Sequence, residues 1–215
     1  MTGQGASEAI LHDYWRSSAA YRVRIVLNLK RVAWRSAPVD IGHGEHERDD
    51  YHSLNPQGLV PTLEIDGHVL TQSLAIIDYL DAKVENPPMV SSDPVRRART
   101  LAQALTIAAD IHPVNNLRIL NALRSDFGAS EEQVRLWVQR WIASGFAALE
   151  ETAPDAGLFG GATPDLADVC LVPQLYNARR FELDLAPYPR LVRIDSAARA
   201  LEPVARAAPE AVRPG

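Results

Sequence analysis

In the first 85 residues the apolar positions come in short runs with abrupt changes of period; after residue 93 they settle into helical spacing. Residues 9–15, AILHDYW, predict a strand. Ser17 and Ser18 follow, and Val23, Ile25, Val26, Leu29 and Val32 then mark one side of a helix. A second strand is expected over 33–41 and an irregular polar loop, GHGEHERDD, over 42–50. The run LVPTL at 59–63 reads as a strand with Pro61 inside it. Proline has no ladder donor, so this stretch is either an edge or a backbone kept free for a ligand. Asp66-Gly67 is a two-residue hairpin signal, and Thr71, Gln72 and Ser73 precede a helical face of Leu74, Ile76, Ile77 and Leu80. This order fits a small mixed sheet with a βαβ half and a ββα half.

NPPMVSSD at 86–93 is the clearest break, with Asp93 as a helix cap and Pro94 at the first helical position. It divides the chain into expected domains at 1–86 and 93–215, the second all-helical. Leu101, Leu105, Ala108, Ala109 and Ile111 predict one buried stripe. Ser130 with Gln133 forms a capping box ahead of Val134, Trp137, Trp141 and Leu149, whose helical spacing makes the tryptophans core residues. Asp165 and Asp168 form a carboxylate version of the same box before the apolar run VCLV. Residues 1–8 are expected to be a disordered tail, and the proline-containing stretch after Glu202 to cover a surface or fray.

Composition narrows the class. With 47% hydrophobic and 23% charged residues, 215 residues describe an ordinary globular protein. A net charge of -5 speaks against nucleic acid, whose phosphates need a basic surface. No run approaches the roughly 20 apolar residues of a membrane span, and no basic segment leads into an apolar one at the N-terminus. The single cysteine, Cys170, excludes an internal disulfide, reads as a core residue and favours a reducing compartment, so a cytoplasmic location is expected. His43 and His46 lack a third ligand at convincing spacing, and no metal is expected.

Two chemical features remain. A serine pair at a helix start is a natural anion or thiolate site, because first-turn N–H groups have no partner and the helix dipole is positive there. Ser17 or Ser18 serving only as a cap accounts for the same pattern. In DIHPVNN at 110–116, His112, Asn115 and Asn116 fall on one side if the segment is helical, with Pro113 disturbing the helix and freeing the Ala109 carbonyl.

Four stretches, RSSAAYRVRIVLNLK (16–30), NPQGLVPTLEIDGHVLTQSLAIIDYL (55–80), DIHPVNNLRIL (110–120) and ADVCLVPQLYNARRF (167–181), together resemble the zeta class of glutathione transferases, the maleylacetoacetate and maleylpyruvate isomerases. The likeness runs over nearly all of residues 9–200. It implies a glutathione transferase fold: an α/β thioredoxin-like N-terminal domain followed by an all-α C-terminal domain, as a homodimer. It further implies a cis Val60-Pro61 bond, with the Val60 backbone pairing with glutathione like an added strand. Gln72 and Ser73 would hold the γ-glutamyl end, and Ser17, with Ser18 beside it, would face the glutathione sulfur.

The implied reaction is cis–trans isomerisation of a small acidic enone by reversible addition of glutathione thiolate. Arg16 and Arg180, the second arginine of NARRF, would face the substrate's acid groups, because guanidinium holds a carboxylate bidentately. His112 and Asn116 are candidates for the same substrate site. One departure is Ala19, where the family's SSCS pattern has cysteine; this leaves the isomerase chemistry intact and puts cysteine-dependent side activities in doubt. A transferase or dehalogenase acting on small α-halo acids, or a non-catalytic binding module of the same fold, are the competing expectations.

Overall fold

The computed structural model describes residues 8–214, so the tail expected at 1–8 lies outside the described residues except for Glu8. The chain forms two compact units, one of Met1–Pro88 with Leu201–Gly215 and one of Met89–Ala200.

The first unit is built on one sheet of β1 (Ala9–Asp13), β2 (Trp34–Pro38), β3 (Thr62–Ile65) and β4 (His68–Thr71), in the order β2-β1-β3-β4. β1 and β2 are parallel and joined through α1 (Ser18–Leu29), while β3 runs antiparallel to both β1 and β4. The hairpin lies where the sequence placed it. Asp66 and Gly67 both take positive φ, 54° and 78°, the requirement of the turn type that matches strand twist. Pro61 stands one residue ahead of β3 and occupies no ladder position, so the apparent conflict in LVPTL disappears.

Two expectations change. The segment 42–50 is not a plain loop: two short 3-10 turns lead into α2 (Asp49–Leu54). α2 buries Tyr51 alone, and a helix with one buried residue has no apolar period to read. His43, weighed above as a metal ligand, instead pairs with Asp40 at 2.7 Å. α1 is buried on all sides from Ala20 to Leu27, including Arg22 and Arg24, rather than on one stripe. Its last turn is tied down by Lys30, whose ammonium donates to Asp81 (2.8 Å) and to the Val84 and Pro87 carbonyls (2.6 and 2.9 Å). α3 (Ser73–Lys83) packs against α1 and buries Ile76, Ile77 and Leu80.

The second unit is helical. α4 (Pro94–Leu105) begins at Asp93, whose carboxylate accepts the Arg96 N–H at 2.8 Å. A π-helical turn, Thr106–Ile111, continues it. The buried stripe lies one position away from the expected one, at ordinary helical spacing. Thr100, Ala104, Ile107 and Ile111 are the buried positions, while Leu105 and Ala109, expected inside, are exposed. α5 (His112–Val114), α6 (Leu117–Ser125), α7 (Glu131–Thr152), α8 (Leu166–Arg180) and α9 (Pro189–Arg199) follow. Trp137 and Trp141 are not core residues as expected: Trp137 is half-buried, Trp141 is exposed, and the rings meet edge to face at 5.7 Å. Gly145 lets α7 approach the π turn, since a Cβ there would collide with Ile111.

Both capping boxes form. At α8 the Asp168 carboxylate accepts the backbone N–H of Phe159, Gly160 and Asp165 at 2.9, 2.9 and 3.0 Å, joining the preceding loop to the helix start. Burial and the adjacent Asp165 push Asp168 up to about 7. Cys170 is buried in α8.

From Leu201 the chain returns to the first unit, where α10 (Glu202–Ala205) packs on α1 and α11 (Pro209–Val212) follows. Asn28 donates to the Pro203 carbonyl (2.9 Å) and Arg24 to the Ala207 carbonyl (3.0 Å). The stretch expected with the helical part is thus held to α1, which explains why α1 is buried all round. No helix among the described residues is long and apolar enough to cross a membrane.

Candidate active site

Sheet register gathers the predicted cofactor-facing segments. His12 lies opposite Thr62 and Thr62 opposite Thr71, so the C-terminal end of β1, the N-terminal end of β3 and the C-terminal end of β4 coincide. Residues 14–17, 59–61 and 72–73 therefore all leave one end of the sheet.

Ser17 caps α1, its Oγ accepting the Ala20 N–H at 3.2 Å. Capping uses an oxygen lone pair and leaves the hydroxyl proton to be donated, so the cap role and a thiolate-facing role are compatible. Ser18 is the first residue of the helix. Arg16 is exposed; it donates to the Tyr14 hydroxyl (3.1 Å) and lies 4.8 Å from the centre of the Trp15 ring.

The Val60-Pro61 bond is cis. Its neighbours are fixed by buried polar groups: the Leu59 carbonyl accepts from Tyr51 Oη (2.8 Å) and Asn55 Nδ2 (2.7 Å), and both also reach Thr62 Oγ1. Burial raises the Tyr51 phenol, which therefore stays a neutral donor. Gly58 has φ 59°, and a Cβ there would meet the His46 carbonyl and the His52 ring at 3.0–3.1 Å. Within the described residues no hydrogen bond engages the Val60 backbone, which is left open for strand-like pairing.

Gln72 precedes α3 with φ 67° and ψ 116°, a conformation costly for any residue but glycine, and makes no side-chain cap. Its Nε2 donates to Gln57 Oε1 at 2.7 Å. Ser73, the first residue of α3, is buried, and its Oγ accepts from Arg22 Nη1 at 3.3 Å. A guanidinium only donates, so this contact occupies a lone pair of Ser73 and points the hydroxyl proton elsewhere.

In the second unit the continuous helix assumed for His112, Asn115 and Asn116 is absent. α5 ends at Asn115, which is buried, and Asn116 starts α6 as its cap, accepting the Arg118 N–H at 3.2 Å. A cap turns the backbone between the two, so Asn116 does not continue the helix that carries His112. His112 opens α5 and is half-buried. Arg180 stands in the last turn of α8, donating to Asn177 Oδ1 at 3.1 Å. Its neighbour Arg179 is committed to the buried Asp195 at 2.7 Å, a physical reason to separate the two arginines.

Residues 16–83 match the family model of the glutathione S-transferase N-terminal domain. The chain is 46% identical to the maleylacetoacetate isomerase of Rhizobium meliloti over 97% of its own length and all of that protein. It belongs to the zeta class of glutathione transferases, the maleylacetoacetate and maleylpyruvate isomerase family. A holo structure of a zeta-class maleylpyruvate isomerase is similar at TM-score 0.93 and 43% identity, covering 95% of this chain and 98% of that one. The maleylacetoacetate isomerase of Methylobacterium extorquens AM1, solved with bound malonate and glutathione, matches at TM-score 0.91 and 35% identity, covering 96% and 98%. The thioredoxin-like sheet and the helical second part are those of this fold.

Several residues that shape this end of the sheet carried no signal of their own in the sequence. Arg22 sits among apolar helix positions, and Tyr51 and Asn55 lie in the stretch around an unread helix. Their roles come from partners 4 to 51 residues away. Gln57 stood beside the recognised Pro61 segment, yet its link to Gln72 depends on the fold.

Proposed function

We propose that this chain is a glutathione-dependent cis–trans isomerase of small enone diacids, converting maleylacetoacetate to fumarylacetoacetate, or maleylpyruvate to fumarylpyruvate. One observation carries the reading: a serine at a helix N-terminus, an unpaired strand-like backbone and a buried serine whose oxygen accepts from Arg22 share one end of the sheet. These groups fit glutathione part by part. The Val60 backbone, set by Pro61, suits the cysteinyl backbone, and Gln72 and Ser73 suit the γ-glutamyl group at the α3 N-terminus. Bound glutathione supplies the thiolate, which adds to the alkene and departs once the bond has rotated, so none is consumed.

Ser17 donates its hydroxyl proton to the sulfur and, with the first-turn N–H groups, favours the anion. Ser18 extends that turn. Negative charge develops on the substrate's ketone oxygen and needs a donor or a cation, a role that falls to Arg16. Arg180, His112 and Asn116 are assigned to substrate binding by their match to the family's motifs, and malonate in the M. extorquens relative fits a small diacid ligand. Exposed apolar side chains such as Val69 and Val95 fit a homodimer, and the lone buried thiol fits the cytoplasm.

The decisive measurement follows the loss of maleylacetoacetate and of maleylpyruvate with and without glutathione. Turnover is expected only with glutathione; equal rates in both would refute the mechanism. Arg180→Ala is expected to raise KM about tenfold with kcat within twofold, the pattern of lost uniform binding. An unchanged KM removes Arg180 from the substrate site.

Ser73 acts here with Arg22 behind it. Ser73→Ala is expected to weaken glutathione binding about tenfold, and Arg22→Met to weaken it by three- to tenfold. In the Ser73→Ala background the Arg22 substitution should cost almost nothing further, because residues acting through one hydrogen bond are not additive. Calorimetric titration of all four proteins checks this, and full additivity would separate Arg22 from Ser73.

A further inference from the structure

We infer that Arg213, near the C-terminal end of the chain, is a specificity-determining residue that draws the substrate's second carboxylate to the Ser17 loop. The inference rests on the reading of an acidic enone at that loop.

Arg24 is the anchor. Its side chain is fully buried, and its three nitrogens reach three acceptors on two segments: Asp13 Oδ2 (2.7 Å) and the Trp15 carbonyl (2.9 Å) on one, the Ala207 carbonyl (3.0 Å) on the other. The other Asp13 oxygen accepts from Ser36 Oγ at 2.7 Å. Burial pulls the Arg24 guanidinium down, and the contact with Asp13 opposes this. One guanidinium therefore fixes the loop that carries Arg16 and Ser17 and also the C-terminal segment. Freeing that segment would strip a hydrogen bond from a buried charge, which is costly.

The anchored segment delivers Arg213 to the same loop. Its Cζ lies 5.0 Å from the centre of the Trp15 ring, and that of Arg16 lies 4.8 Å from it. Two guanidiniums thus share one indole, two residues before Ser17. Neither has a carboxylate partner among the described residues: Arg16 donates to Tyr14 Oη, and Arg213 forms no ion pair. An indole holds a cation without neutralising it, so both charges remain available to an incoming anion. Such a pair attracts a dianion more strongly than a monoanion and acts on capture rather than on the bond rotation. Arg16, next to Ser17, takes the charge nearer the reacting alkene, and Arg213 takes the more distant carboxylate.

The test uses the full chain with saturating glutathione. Substrates are maleylpyruvate, a diacid, and cis-4-oxopent-2-enoate, a monoacid with the same enone. Arg213→Ala is expected to raise KM for the diacid about fivefold and for the monoacid less than twofold, with kcat for both within twofold. The difference from the unmodified protein should shrink in 0.5 M NaCl, where exposed charges are screened within about 4–5 Å. Arg213→Lys should restore most of the effect. Arg206→Ala, on the same segment and paired with Glu202, serves as the control without effect. A diacid KM within twofold of the unmodified protein would overturn the inference. So would an equal rise for both substrates, which would mean that Arg213 only positions the loop. If the unmodified protein shows no glutathione-dependent turnover, the underlying reading fails instead.

Discussion

Replacing Ser17 with alanine is expected to lower kcat by about 10²- to 10³-fold, the cost of removing one aimed hydrogen-bond donor from a developing or standing anion. The same change removes the α1 cap, since Ser17 Oγ accepts the Ala20 N–H, at a cost of about 1 kcal/mol in stability. Two further variants separate these effects. Ser17→Gly should keep stability within a few tenths of a kcal/mol, because glycine caps tolerably, and still lose the activity. Ser17→Thr keeps a hydroxyl and should retain most of it. Thiolate absorbance of the bound glutathione is the direct readout: its thiol pKa should climb towards the ordinary value of about 8.5 in the alanine and glycine variants. If that pKa stays put and kcat changes less than threefold, Ser17 is a cap and nothing more.

The second large effect concerns stability and lies at the start of α8. Asp168→Ala strips the acceptor from three backbone N–H groups, those of Phe159, Gly160 and Asp165. At about 1 kcal/mol for each half-buried donor left to partial solvation, a loss of about 3 kcal/mol is expected. The loss should depend on pH. Burial and the neighbouring Asp165 raise Asp168 to about 7, so folding takes up a proton between the ordinary carboxylate range and neutrality. A group raised on folding contributes stability that is complete below its unfolded value and disappears as pH rises through its folded one. Desolvation by burial also raises Asp165. Urea unfolding from pH 5 to 8 should therefore show the gap between the unmodified protein and the variant narrowing as pH increases. A gap that widens would mean that the three N–H donors, not burial, govern the carboxyl.

Local chemistry that depends on neighbours in the chain was legible in advance. Asp66-Gly67, the Ser130/Gln133 and Asp165/Asp168 boxes and the Asp93-Pro94 helix start each need only a few adjacent residues, and each formed. Reading failed where burial came from elsewhere. α2 has one buried residue and no period, and in 100–111 the buried face runs through Thr100, Ala104, Ile107 and Ile111, where a threonine and an alanine stand in place of the larger Leu101 and Leu105 that the apolar pattern favoured. The shared face proposed for His112, Asn115 and Asn116 assumed a helix that ends at Asn115, where Asn116 starts another. Pro61 looked anomalous only while it was placed inside a strand.

By itself, the sequence determined the four strands and the α1 and α3 helices between and after them, the hairpin, the capped helix starts and the family, with Ser17, Val60, Gln72 and Ser73 as the residues to examine. These follow from short-range backbone preferences and from motifs that keep their spacing. Tertiary structure decided which end of the sheet those residues share, since β1–β3 and β3–β4 register is set across the sheet. It also decided that Arg22 directs Ser73, and that Arg24 joins the Trp15 and Ala207 carbonyls across 192 residues of chain. A buried guanidinium must find its acceptors wherever the fold brings them, and no local pattern says where that is.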